Sequence, residues 1–205
     1  DENLYKKNKN KVNNIKNNDK YYLIPSGEKS KSIEQYLNII DKFSEFKITR
    51  DYYLLVLGGG VTGDLGGFVA STYLRGIKLV QIPTTLLAMV DSSIGGKNGI
   101  NTIYGKNLIG TIYQPEQIII DVKWLQTLSD SEMSYGLAEI IKIALLQGGE
   151  ILKLLEKNNW NSWYDIETKI IQLASKLKQK IIDGDENDTK RKREILNFGH
   201  TWGHA

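Results

Sequence analysis

Apolar positions along this chain follow two rhythms. "SIEQYLNIIDKF", from Ser32, spaces its apolar residues three and four apart behind a serine able to cap a helix. "DYYLLVLGGG" is a short continuous apolar run ending in glycines, which predicts a buried strand. "TGDLGGFVASTYL" predicts a helix rich in small residues, "IKLVQIPTT" a second strand stopped by Pro83, and "QIIIDV" a third. Strands and helices alternating at this spacing predict an α/β domain with a mostly parallel sheet. Beyond Leu128 the strand rhythm disappears. "SDSEMSYGLAEIIKIALLQGG", "EILKLLEKNN" and "SWYDIETKIIQLASKLKQKII" predict successive helices. Ser129 or Ser131 caps the first, Gly148–Gly149 ends it, and Leu137, Ile140, Ile141, Ala144 and Leu145 form its apolar stripe. The expected organisation is an α/β part over 21–128 followed by a helical part over 129–205.

Two stretches break these rhythms. The start, "DENLYKKNKNKVNNIKNNDK", is nearly all Lys and Asn with apolar residues too sparse for a core face, and predicts a solvated, flexible segment over 1–20. "TTLLAMVDSSIGGKNGINTIYGKNLIG" sets a Thr pair, an Asp–Ser–Ser, two Gly-Lys steps and asparagines in apolar company. Buried polar groups each need a partner, so a polar ligand surface explains this mixture better than a plain loop. Lys97 and Lys106 suit anionic groups there, and Asp91 and Asn107 suit hydroxyls.

Composition then narrows the class. With 205 residues, 40% hydrophobic and 25% charged, the chain has material for a sizeable core. A net charge of +3 without interleaved basic and aromatic residues gives no case for nucleic acid. The absence of cysteine removes disulfides, thiolate metal sites and cysteine nucleophiles together, and fits a reducing compartment. No apolar run approaches the roughly 18–20 residues of a membrane helix. The chain begins at Asp1 rather than Met, and both ends read as cut.

Candidate chemistry starts at "LLVLGGGVTGDLGG", where Gly58, Gly60 and Gly63 have the G-x-G-x-x-G spacing after a strand. Glycines there let backbone N–H groups approach a phosphate at a helix start. A simple dinucleotide site also wants a carboxylate at the end of the next strand, yet that strand ends in "QIPTT". Glu139 and Lys142 lie three apart, and spacing alone fits a solvated ion pair. His200 and His204, the only histidines, lie one helical turn apart, which suits a metal; Thr201 after His200 rules out the H-E-x-x-H pattern.

Five blocks together, "LGGGVTGDLGGFVASTYLRG", "QIPTTLLAMVDSSIGGKNGIN", "GKNLIGTIYQP", "GLAEIIKIALL" and "LNFGHTWGHA", resemble the successive signatures of the 3-dehydroquinate synthase family, from about Tyr21 onward. The resemblance implies conversion of 3-deoxy-D-arabino-heptulosonate 7-phosphate, a phosphorylated sugar acid, into 3-dehydroquinate and phosphate. It implies NAD as a catalytic cofactor, a zinc or cobalt ion, no nucleic-acid or membrane partner, and a homodimer of the full-length protein. A cytoplasmic location follows, or a plastid one after removal of a transit peptide.

Position by position, the resemblance implies Glu28 as ribose latch with Lys31 beside it, which supplies the missing carboxylate from upstream. Gly59, Gly60, Val61 and Asp64 fall on pyrophosphate and ribose positions, and Thr84, Thr85, Lys106 and Thr127 on further cofactor positions. Arg75, Asp91, Lys97, Asn107, Lys142, Lys178, Arg193 and Asn197 fall on substrate positions, and His204 on a catalytic histidine near the phosphate. Glu139 and His200 match two of three metal ligands, the third being a histidine in a downstream His-Gly-Glu motif outside this chain. Two departures stand out. Asn98–Gly99 replaces the family's usual Thr–Ala, and "DENDTKRKREILNFGH" reads as one residue longer than the usual acidic loop, where either Asp188 substitutes for a family glutamate or that role is lost. The competing readings are a related sugar-phosphate cyclase, a metal-dependent NAD polyol dehydrogenase, or a non-catalytic interaction module. The lysine set at Lys97, Lys106 and Lys142 argues against a dehydrogenase of simple alcohols.

Overall fold

A computed structural model of the chain describes residues 1–16, 20–157 and 163–199. It divides into two compact units: Asp1–Thr84 with Gly96–Asp121, and Thr85–Gly95 with Val122–Ala205.

The first unit carries the sheet. β1 (Tyr53–Gly58), β2 (Lys78–Pro83) and β5 (Gln117–Ile118) pair in parallel in the order β1-β2-β5. β2 is central and almost wholly buried, as a strand covered on both faces must be. β5 is shorter than "QIIIDV" promises, because pairing ends once Ile119 N–H has bonded to Gln81 O. Between β1 and β2 runs α4 (Gly60–Thr72), whose Leu65, Phe68, Val69 and Ala70 enter a core with Ile39, Phe43, Val56, Ile77, Leu79 and Ile100. Ile39 and Phe43 come from α3 (Ile33–Glu45), which starts as expected at Ser32, whose hydroxyl accepts from Gln35 N–H. α4 lies close on β1 because Gly66 presents no side chain: a Cβ there would stand 2.6 Å from Val56 Cγ2.

Two features of this unit differ from the sequence expectation. The part of the mixed polar–apolar stretch from Lys97 onward lies in this unit as an antiparallel ribbon, β3 (Lys97–Thr102) against β4 (Gly105–Ile112), with Ile100 facing the core. The Lys/Asn-rich start forms α1 (Glu2–Lys7) and α2 (Lys9–Lys16), in which Val12 is buried.

The second unit is helical. α5 (Asp130–Gln147) begins at Ser129 with a reciprocal capping box to Glu132 and ends at Gly148. α6 (Gly149–Lys157) and α7 (Trp163–Ile182) follow, and Leu86–Val90 and Trp124–Leu125 supply further core. The buried face of α5 is Gly136, Ile140, Ile143 and Ala144, whereas Ile141 and Leu145 of the expected stripe are exposed. Gly136 sets that rotation, because its bare Cα lets the helix approach Leu86 and Leu87. Among the described residues no helix is long and apolar enough to cross a membrane.

Candidate active site

In the first unit the glycine turn occupies the junction of β1 and α4. Gly59 precedes the helix without a capping side chain, and the first turn holds no acidic residue. The first N–H groups of a helix have no intrahelical acceptor, so Gly60 and Val61 offer donors at the positive end of the helix dipole. That is the geometry of an anion cradle. Thr84 is buried beside it, its N–H donating to Gly58 O at 3.0 Å.

Around the cradle stands a built polar cluster. Lys31 is only 4% exposed, and its ammonium donates to Asp64 Oδ2 at 2.6 Å and to Asn107 Oδ1 at 2.5 Å. Glu28 lies 4.0 Å from the same ammonium and accepts from Asn101 Nδ2 at 2.8 Å. Asn101 closes the circuit, its N–H donating to Lys31 O at 2.7 Å and its Oδ1 accepting from Asn107 N–H at 2.9 Å. Asn107 takes a left-handed conformation (φ 55°) that asparagine tolerates well. Sequence reasoning missed Asn101, since an asparagine on a ribbon carries no motif. The structure therefore brings Glu28, Lys31, Asp64 and Asn107 together, while Arg75, Lys97 and Lys106 stand exposed in the same unit. Asn98 fits its unusual position: its amide donates to Gly96 O at 2.6 Å and Tyr113 O at 3.1 Å, and its side chain fills the space left by Gly67.

The second unit gathers a cationic group. Lys178 on α7, buried to 7% of its side chain, donates to Asp91 Oδ1 at 2.6 Å and to Asp91 O. Burial lowers its ammonium pKa; Asp91 opposes that, and the positive charges of Arg193 and Lys142 reinforce it. Lys142 pairs with Glu139 and donates to Leu196 O at 2.8 Å. At 10% and 17% exposure this is not the solvated surface pair that spacing alone predicts. Arg193, 5% exposed, donates to Gly95 O at 3.1 Å and lies 4.0 Å from Asp188 Oδ1, while its buried Nε makes no hydrogen bond among the described residues. Thr85 Oγ1 accepts from Ala88 N–H, Thr127 Oγ1 donates to Trp124 O, and Asn197 is exposed.

His200 and His204 lie outside the described residues. Among the described residues no group of three or more His, Asp or Glu could hold a metal. Glu139 offers a half-buried carboxylate as one hard donor.

A strand–glycine–helix phosphate cradle followed by a helical unit rich in buried cations defines an α/β nucleotide-binding enzyme class. Models of the 3-dehydroquinate synthase N-terminal and C-terminal parts match residues 21–135 and 136–205, and the chain belongs to that family. It is 48% identical over 185 residues to the 3-dehydroquinate synthase of Dictyoglomus thermophilum, covering 89% of this chain and 52% of the relative. The chain spans about half the length of the curated relatives it matches. Among solved structures it resembles 2-epi-5-epi-valiolone synthase from Streptomyces hygroscopicus subsp. jinggangensis with NAD+ and Zn2+ bound, at a TM-score of 0.85, 28% identity and coverage of 97% and 57%. It also resembles 2-deoxy-scyllo-inosose synthase complexed with carbaglucose-6-phosphate, NAD+ and Co2+, at a TM-score of 0.76, 27% identity and coverage of 87% and 49%.

Proposed function

We propose that this chain forms the cofactor-holding and part of the substrate-holding machinery of a 3-dehydroquinate synthase. The full-length protein would convert 3-deoxy-D-arabino-heptulosonate 7-phosphate into 3-dehydroquinate and phosphate. The observation that carries the reading is the pair of built polar groups: Lys31–Asp64–Asn107–Glu28 at the cradle, and Lys178–Asp91 with Lys142 and Arg193 in the helical unit.

NAD fits the cradle, and when bound it supplies a hydride acceptor and donor, so that an alcohol can be oxidised and later restored. Gly59, Gly60 and Val61 would offer N–H groups to its pyrophosphate and Glu28 would receive a ribose hydroxyl, and Thr84, Thr85, Lys106 and Thr127 fall on further cofactor positions of the family. Glu139 and His200, with a third ligand from outside this chain, would hold a zinc or cobalt ion whose chemistry is to polarise the reacting hydroxyls.

The chain's own residues do the rest. Lys142, Lys178 and Arg193 hold the carboxylate and phosphate of the substrate, with Lys97, Asn107, Asn197 and Arg75 as further contacts. Asp91 fixes Lys178 and accepts a substrate hydroxyl. His204 carries a proton at the phosphate end, a task suited to imidazole near neutral pH. Oxidation next to the carbon that loses its proton acidifies that C–H, which makes loss of phosphate feasible. The same reading carries a homodimer and a cytoplasmic location for the full-length protein.

The test supplies the full-length protein with 3-deoxy-D-arabino-heptulosonate 7-phosphate, NAD+ and a divalent metal. Equal amounts of phosphate and 3-dehydroquinate are expected. Phosphate release with a different carbocycle would point to a sister cyclase, and no reaction would overturn the reading.

A further inference from the structure

The loop between α7 and the 3-10 turn Lys192–Asn197 contains an acidic side chain that none of the assignments above uses. Asp185 is 2% exposed, and its carboxylate accepts three backbone N–H groups. Oδ1 takes Thr189 N–H and Lys190 N–H, both at 2.8 Å, and Oδ2 takes Lys192 N–H at 3.0 Å. Its own backbone is tied at both sides, Asp185 N–H to Ile182 O and Asp188 N–H to Asp185 O.

Such binding holds together a loop that does not fold easily by itself. Asp188 (φ 54°) and Arg191 (φ 60°) both lie in the left-handed region, as does Gly184 (φ 79°). Non-glycine residues there persist only where the surroundings over-determine them. The Asp185 carboxylate supplies that hold from inside the loop. What the anchor delivers is Arg193, one residue beyond the last N–H that Asp185 holds, with its guanidinium at Gly95 O and its Nε 4.0 Å from Asp188. Burial pushes the Asp185 carboxyl upward, but the N–H donors of Lys190, Thr189 and Lys192 outweigh it and hold the group below the usual carboxylate range, so it stays ionised near neutral pH.

We infer that Asp185 is a positioning residue: it folds the 185–192 loop around its carboxylate and thereby sets Arg193 for an anionic group of the substrate. The role of Arg193 rests on the synthase reading, whereas the anchoring of the loop does not.

The experiment uses the full-length protein with Asp185→Ala, Asp185→Asn, Arg193→Ala and the Asp185→Ala/Arg193→Ala double variant. Backbone amide exchange over residues 186–193 is measured beside steady-state kinetics and NAD+ titration. Asp185→Ala is expected to speed exchange of that segment at least tenfold and to raise KM more than it lowers kcat. Asp185→Asn, which retains an acceptor for two of the three N–H groups, should recover part of both effects. Because Asp185 acts through Arg193, the double variant should lose no more of kcat/KM than Arg193→Ala alone, to within twofold. NAD+ affinity within twofold of wild type shows that the variants are folded. Unchanged exchange in Asp185→Ala, or fully additive kinetic losses, would overturn the inference. If the wild-type protein has no synthase activity, the functional reading fails, and exchange of the segment still decides the anchoring.

Discussion

Removing one member of the Lys178–Asp91 pair should hurt far more than removing the other. Lys178 keeps 7% of its side chain in water and Asp91 keeps 30%, and the ammonium reaches both the carboxylate and the backbone oxygen of Asp91. Asp91→Asn leaves a buried ammonium facing only neutral oxygens. Breaking a fully buried pair costs about 3–5 kcal/mol, and the partial solvation of Asp91 reduces that to about 2–4 kcal/mol. Lys178→Met instead leaves a carboxylate that water still reaches, for about 1 kcal/mol. At about 2–4 °C per kcal/mol for a domain of this size, Asp91→Asn should lower the unfolding midpoint by about 4–16 °C and Lys178→Met by about 2–4 °C. The double variant should recover most of the Asp91→Asn loss.

A pH series sharpens the test. Lys178 has a folded pKa below its unfolded value, chiefly because it is buried. Between those two values the unfolded chain binds more protons, so stability rises with pH there. Asp91→Asn depresses the folded pKa further, so its deficit should shrink as the pH rises towards the ordinary lysine range. Calorimetric scans of the variants measure this directly. Equal losses for the two single variants, or a deficit that grows with pH, would refute the reasoning.

The cofactor site should prefer NAD+ over NADP+ by about tenfold or more, because Glu28 would repel a 2′-phosphate; equal affinities in titration would remove Glu28 from the ribose. Lys142→Ala should reduce kcat/KM while NAD+ affinity holds within twofold, and a matching loss of cofactor binding would place Lys142 in the wrong site. Gly66→Ala should cost about 1–2 kcal/mol despite alanine's better helix propensity, since the new methyl meets Val56; an unchanged unfolding midpoint would mean that α4 can lift from β1.

Where local chemistry and burial agree, the chain could be read directly. Ser32 and Ser129 cap the helices they precede, and the apolar runs at Tyr53–Gly58 and Lys78–Pro83 are the paired strands; the second is buried as expected, whereas Tyr53 and Leu55 leave the first, at the sheet edge, partly exposed. The ribbon of β3 and β4 was not legible as strands because its polar residues obey the site, with Asn101 and Asn107 serving Lys31 and breaking the alternation. The α5 stripe was misplaced by a quarter turn because Gly136, silent in any hydrophobic pattern, decides which face packs. Family resemblance named Lys31, Asp64 and Lys178, but the partners that hold them in place emerge only from three-dimensional contacts. Asp185 is the extreme case: three backbone donors meet on it, and no side-chain motif announces backbone donors.

The central claim is that the cofactor acts as a catalyst, oxidising and then restoring the same substrate. Full-length protein stripped of nucleotide and supplied with NAD+ far below the substrate concentration tests it most directly. Phosphate, 3-dehydroquinate and reduced nicotinamide are followed together. The account predicts many turnovers of phosphate and 3-dehydroquinate per NAD+, with no reduced nicotinamide accumulating. Reduced nicotinamide rising in step with substrate loss, and turnover stopping when NAD+ is spent, would mean a dehydrogenase and contradict it.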